Sequence, residues 1–163
     1  MPAVGLVRGK GDGLDKLEQL AKGVKACTNC ELRMNATRPV PGIGEVGSNY
    51  FLIGEAPGAN EDKVGIPFIG DAGKKLDQLL ELAGIDRNDC YFTNVCKCRP
   101  PSNRDPRKGE IKACKIWLEE EIRLVKPAYI ITLGRVPLSL FSEYGVKQMH
   151  GTMFEMEVED GID

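Results

Sequence analysis

Four cysteines carry the densest chemical signal in the sequence. Cys27 and Cys30 form a Cys-x-x-Cys pair, Cys98 sits in Lys97-Cys98-Arg99-Pro100-Pro101, and Cys114 follows on a helical pattern. Two near and two distant thiols, brought together by folding, can supply four thiolates to one metal centre. On spacing alone, zinc and an iron–sulfur cluster remain rivals. Two cysteines are left over. Cys90 opens a strand-like run and reads as buried packing. Cys96 shares the face of Cys98 on an extended chain, which makes it a competing ligand or, the reading favoured here, a packing residue.

Three further motifs could surround a planar ligand. Gly54-Glu55-Ala56-Pro57-Gly58-Ala59-Asn60-Glu61-Asp62 follows an apolar run directly; its glycines let backbone amides approach a ligand, and Glu55 stands at the exit of the run. It lacks the Gly-Lys-Ser/Thr of a nucleotide-triphosphate loop. Phe68 lies between breakers in Gly65-Ile66-Pro67-Phe68-Ile69-Gly70, where a large aromatic needs a core or a planar ligand to cover it. Stacking on a base contributes about 1–3 kcal/mol. Asn94, in Thr93-Asn94-Val95, offers a donor and an acceptor in one plane, which matches the edge of a pyrimidine. Each has a plainer alternative: a solvated turn for Glu55, core packing for Phe68, backbone capping for Asn94.

The elements that must position these residues read as an open α/β sheet. Leu14, Leu17, Leu20, Ala21 and Val24 recur at helical spacing and deliver Cys27 and Cys30. Arg38 to Ser48 is loop. Tyr50 to Ile53 is a buried parallel strand, followed by a long loop from Glu55 to Ala72. Leu76, Leu79, Leu80 and Ala83 give a helix closed by Gly84, and Cys90 to Val95 a second strand. Ile111, Cys114, Trp117, Leu118, Ile122 and Val125 give a helix stopped at Lys126-Pro127. Tyr129 to Gly134 is a third strand, Val136 to Phe141 a third core helix, and Thr152 to Val158 an exposed strand or hairpin arm. Strand alternating with helix predicts ligand binding beyond the carboxyl ends of the strands, at Gly54-Glu55, Asn94 and Gly134.

The chain of 163 residues suits a single domain over residues 14–163, with residues 1–13 a flexible lead-in. No apolar run approaches the roughly 20 residues that span a bilayer. Met1 to Lys10 lacks the apolar core of a secretory signal, so a cytoplasmic location with reduced thiols is expected. The net charge of −2 does not advertise nucleic acid. Between Lys97 and Lys115, however, seven basic residues face two acidic ones, a local +5 suited to phosphate contact beside the Pro-Pro loop. The acidic tail, Glu155, Glu157, Glu159, Asp160 and Asp163, sits elsewhere.

Taken together, the Cys-x-x-Cys pair, GEAPGANED, GIPFIGDAG, TNVCKCRPP with Asn103-Arg104, Cys114 and Ile131-Thr132-Leu133-Gly134 resemble the family 4 uracil-DNA glycosylases. The resemblance runs from about Cys27 to about Phe154. It implies a three-layer α/β/α sandwich on a short parallel sheet, the last strand missing from this chain. It also implies a [4Fe–4S] cluster on Cys27, Cys30, Cys98 and Cys114, bracing loops against DNA. Phe68 resembles the aromatic that stacks on flipped uracil and Asn94 the amide that reads its edge. Glu61 resembles the carboxylate that closes the pocket against a thymine methyl group, with Gly54 and Ala56 beside it. Glu55 occupies the acidic position at which a water-activating group is placed elsewhere in the superfamily.

The implied activity is hydrolytic, monofunctional excision of uracil from single- or double-stranded DNA by a monomer. Arg99, Pro100, Asn103 and Arg104 are the implied DNA contacts, and a sliding clamp is a further candidate partner. The family also places a His-Pro-Ser/Ala motif after a fourth strand, and this sequence reaches Asp163 without one. A shortened form or a variant with a degenerate site is therefore expected. His150 matches a different family segment and is assigned to the surface or to DNA. The alternatives are a non-catalytic or partner-dependent iron–sulfur DNA-binding module on the same fold, and a zinc-stabilised α/β protein of other function.

Overall fold

A computed structural model describes residues 10–157. Three strands, β1 (Tyr50–Gly54), β2 (Cys90–Asn94) and β3 (Tyr129–Thr132), form one parallel sheet in the order β2-β1-β3. β1 lies in the centre, and Phe51, Leu52 and Ile53 are each at most 1% exposed. A strand covered on both faces requires such an uninterrupted apolar run. The pleat divides the core in two. Phe51, Ile53 and Tyr91 point into one cluster with Leu118 and Ile122; Leu52, Cys90 and Phe92 point into another with Leu76 and Leu80.

Helices α1 (Lys10–Lys25) and α5 (Lys108–Val125) pack together on the first face. The α5 stripe is Cys114, Leu118, Ile122 and Val125, at helical spacing. It stops at Lys126, which takes a left-handed conformation (φ 53°) ahead of Pro127. Helix α4 (Asp71–Ala83) covers the other face with Gly73, Leu76 and Leu80, and Gly84 closes it at φ 69°. Helix–sheet–helix is the three-layer arrangement expected from the sequence.

Several boundaries differ from that expectation. Helix α1 starts at Lys10, four residues ahead of Leu14, so part of the expected lead-in is helical; residues 1–9 lie outside the described residues. The loop after β1 contains a helix, α3 (Ala59–Val64), which shows no apolar periodicity because side-chain capping by Glu61, not burial, holds its first turn. Leu79 faces solvent, 61% exposed. The helix expected over Val136 to Phe141 is a single turn, α6 (Arg135–Leu138), continued by looser turns to Ser142. Residues 152–157 form no strand. Val158 and the acidic residues Glu159, Asp160 and Asp163 lie outside the described residues. Short helices α2 (Leu32–Asn35) and α7 (Val146–Met149) complete the described fold.

Candidate base pocket and thiolate cavity

The parallel register sets Gly54 beside Asn94 at the carboxyl edge of the sheet. The loop after α3 swings Phe68 over them. A Cβ on Gly54 would overlap the Asn94 Oδ1 atom and lie 2.7 Å from Phe68 Cζ, so the absent side chain is what lets ring and carboxamide converge. Phe68 itself is left-handed (φ 57°), an uncommon state for a bulky residue that surrounding structure must enforce. Two contacts enforce it. The Phe68 carbonyl rests on the Cα of Gly73 in the first turn of α4, where any Cβ would overlap it. The Glu61 carboxylate accepts from the next two amides, Ile69 N at 3.1 Å and Gly70 N at 2.8 Å, and from Gly58 N at 3.2 Å. Glu61 thus holds the aromatic loop to α3. Phe68 is half-buried, and its ring tilts against Phe92, 6.0 Å between centroids.

Glu55 continues the line of β1, its carbonyl accepting from Cys96 N at 3.0 Å. Its side chain is partly buried beside Asp105, which is ion-paired to Arg135. Burial, and then the neighbouring Asp105 carboxylate, raise the Glu55 pKa above the usual carboxylate range; Arg135 opposes the rise. Asp105 and Arg135 carry no mark in the sequence. One is an isolated acid in a basic run and the other follows β3, and only the fold brings them to the exit of β1. Ala56 is half-buried against the core on the α1/α5 side.

Asn94 is 4% exposed, and its side-chain amide makes no hydrogen bond within the described residues. Its main-chain carbonyl accepts from Lys97 Nζ at 2.7 Å. Lys97 belongs to the basic run by sequence, but it is 1% exposed and its ammonium pairs with the equally buried Glu121 at 2.6 Å. That removes it from any phosphate-facing surface. The run is depleted further because Arg104 is bidentate on Glu110, at 3.0 and 2.6 Å. Pro100 is buried, Arg99 donates to Asn103 Oδ1 at 2.8 Å, and Ser102 and Asn103 are both left-handed on the exposed loop. Arg107, Lys108 and Lys112 are exposed around the start of α5.

Cys27, Cys30, Cys98 and Cys114 line one cavity of about 300 Å³, counting the part open to solvent. They arrive from three chain segments: the turn after α1, the loop after β2, and α5. Backbone and indole N–H groups aim at the sulfurs: Trp117 Nε1 at 3.3 Å and Asn29 N at 3.4 Å to Cys27, and Lys97 N at 3.2 Å to Cys114. Burial and the neighbouring sulfurs push the Cys98 thiol up to about 12, and the same causes raise Cys30, with a backbone hydrogen bond opposing. Cys114 is drawn down to about 7, chiefly by a hydrogen bond from Cys96, then by the Lys97 charge and amide. Cys96 is thereby a support for Cys114 and lies off the cavity wall, and Cys90 packs in the cluster on the opposite face. Among the described residues, no three His, Cys, Asp or Glu side chains close on a single ion. His150 is exposed at the end of α7.

A family model described as the uracil DNA glycosylase superfamily matches residues 41–159, which include Gly54, Phe68, Asn94, Cys98 and Cys114. The chain belongs to the uracil DNA glycosylase superfamily. A type-4 uracil-DNA glycosylase of Sulfurisphaera tokodaii is 45% identical over 134 residues, 81% of this chain and 61% of that protein. One of Saccharolobus solfataricus is 45% identical over 136 residues, 82% and 63% respectively. One of Archaeoglobus fulgidus is 35% identical over 150 residues, 88% and 75%. The chain thus spans about three fifths of the length of the first two relatives. The superfamily match begins after Cys27 and Cys30, so it covers the whole base pocket and half of the thiolate set. Among the described residues, no helix is long and apolar enough to cross a membrane.

Proposed function

We propose that this chain flips uracil out of DNA and excises it hydrolytically, leaving an abasic site. The observation that carries the reading is the convergence of the Phe68 ring and the Asn94 carboxamide over the bare Cα of Gly54. A half-buried flat aromatic and an amide with no hydrogen bond among the described residues are what a flipped pyrimidine needs: one stacks, the other reads its edge. Glu61 fixes the loop that carries the ring and closes that side of the pocket against the bulk of a 5-methyl group. The same chemistry accepts uracil from single- or double-stranded DNA. The exposed loop with Arg99 and Asn103 meets the DNA backbone, and Arg104 holds that loop to α5 through Glu110.

Glycosidic cleavage builds positive charge on the deoxyribose and negative charge on the departing base. Glu55, at the strand exit, is placed to stabilise the first as a carboxylate and to receive a proton from the attacking water. The Asn94 N–H₂ stabilises the second.

The donor set of the cavity fits a [4Fe–4S] cluster. Four thiols line a common space, N–H groups point at two of the sulfurs, and the burial and crowding that raise Cys30 and Cys98 are offset when cationic metal shares the space. Bound there, the cluster would supply a cross-link between α1, α5 and the loop after β2.

Release of free uracil from single-stranded and U:G-containing oligonucleotides tests the function. Release by this chain, lowered about 100- to 1000-fold but still measurable in Asn94→Ala, is the expected result. Binding of uracil-containing DNA without release would replace the reading by that of a non-catalytic DNA-binding module.

A further inference from the structure

Beneath the base pocket lies a polar network that none of the pocket roles uses. Lys97 Nζ reaches three acceptors: Thr93 Oγ1 at 2.6 Å, the Asn94 carbonyl at 2.7 Å and Glu121 Oε2 at 2.6 Å. Both charged side chains are 1% exposed. Glu121 accepts in turn from Gly42 N at 3.0 Å, Tyr91 Oη at 3.2 Å and Thr93 Oγ1 at 2.9 Å. The main chain of Lys97 is fixed too, its N–H donating to Cys114 Sγ and its carbonyl accepting from Val40 N.

A buried ion pair is not needed for stability, since well-packed apolar residues of the same shape often serve as well or better. What this pair does that apolar residues cannot is grip a carbonyl. The strand ends at Asn94: its register partner is Gly54, and beyond it only Val95 and Cys96 continue the pairing, to Gly54 and Glu55. The Asn94 side chain has no hydrogen bond of its own to orient it. Its direction is therefore left to the packing around Gly54 and to the backbone that carries it, and the Asn94 carbonyl is held by Lys97.

We propose that Lys97, anchored by Glu121, is a positioning residue for base recognition: it fixes the Asn94 peptide so that the carboxamide faces the flipped base. It also makes one rigid piece of the pocket wall and the Cys114 side of the thiolate cavity. This deepens the uracil reading and rests on Asn94 being the residue that reads the base.

The test is the double variant Lys97→Met/Glu121→Gln, which keeps both shapes and leaves no unpaired buried charge. Far-ultraviolet circular dichroism and the thermal midpoint report folding. The side-chain NH₂ resonances of Asn94, assigned through Asn94→Asp, report the position of the carboxamide whether or not the chain releases uracil. They are expected to shift or split in the folded double variant. kcat/KM for uracil release is expected to fall about 100-fold, the scale of an ångström-level misplacement. In an Asn94→Ala background the same pair of changes is expected to cost no further activity, because both act through one group. A merely structural role would lower activity equally in both backgrounds. If the double variant does not fold, Lys97→Arg carries the test: it retains the charge, but a planar fork cannot place one nitrogen on three acceptors, so the resonances should still move. Unmoved Asn94 resonances in a folded variant, or additive losses with Asn94→Ala, would overturn the proposal. No uracil release by the unaltered chain, with resonances that do move in the variant, would instead overturn the function and leave the positioning intact.

Discussion

Glu55 illustrates how much a single carboxylate can be tuned by neighbours that arrive from elsewhere in the chain. Burial and Asp105 raise its pKa, and Arg135 lowers it. If the ionised form acts in excision, activity should fall as pH drops through that raised value, with the acid limb above that of an ordinary glutamate. Asp105→Asn should move the limb to lower pH and Arg135→Ala to higher pH. A limb that ignores both changes would detach Glu55 from the chemistry. The same shift has a stability sign. With the folded pKa above the unfolded one, the native state binds more protons in the window between them, so stability falls as pH rises through it. Glu55→Gln should therefore abolish turnover while raising the neutral-pH melting temperature, and a lowered melting temperature would show that the side chain is instead structural.

At the scale of elements, the pocket depends on two glycines that admit close approach. Gly54→Ala pushes a methyl into the Asn94 amide and the Phe68 ring. Phe68 is only half-buried and can shift, so kcat/KM should drop about 100-fold with little change in the thermal midpoint. Gly73→Ala meets a backbone carbonyl that has nowhere to go, and overpacking of that kind costs about 1–3 kcal/mol. Parallel denaturant melts and uracil-release assays of the two variants should give opposite patterns. The sequence makes the strands legible because β1 and β2 are continuous apolar runs with Gly54 and Asn94 at their ends. Helix α3 stays hidden since its stabilising groups are backbone amides and the carboxylates of Glu61 and Asp62. Lys97 and Glu121 stay hidden for another reason. Each sits in a run of like charge that reads as solvated surface, and nothing local tells which member of the run turns inward.

For the molecule as a whole, the thiolate cavity joins segments that the sheet does not. Cys27 and Cys30 follow α1, Cys98 follows β2 and Cys114 lies mid-way along α5, so a metal centre there would cross-link three pieces of chain. The four-cysteine set was legible in the sequence because thiols are few, and the structure adds the donors that attend them. One donor is also a reporter. Trp117 is the only tryptophan of the 163 residues, and its indole N–H lies 3.3 Å from Cys27 Sγ. An iron–sulfur centre on that sulfur absorbs across the visible range and should quench the indole emission. Chelation under reducing conditions should restore the fluorescence, bleach the brown colour and lower the melting temperature in step, because loss of the metal removes the cross-link between three pieces of chain. Trp117→Phe should keep the colour yet lose the metal faster, since one hydrogen bond to a ligand sulfur is gone. A colourless protein whose fluorescence is indifferent to chelators would remove the cluster from the proposal. It would leave the base pocket, built at the other side of Lys97, to be judged by uracil release alone.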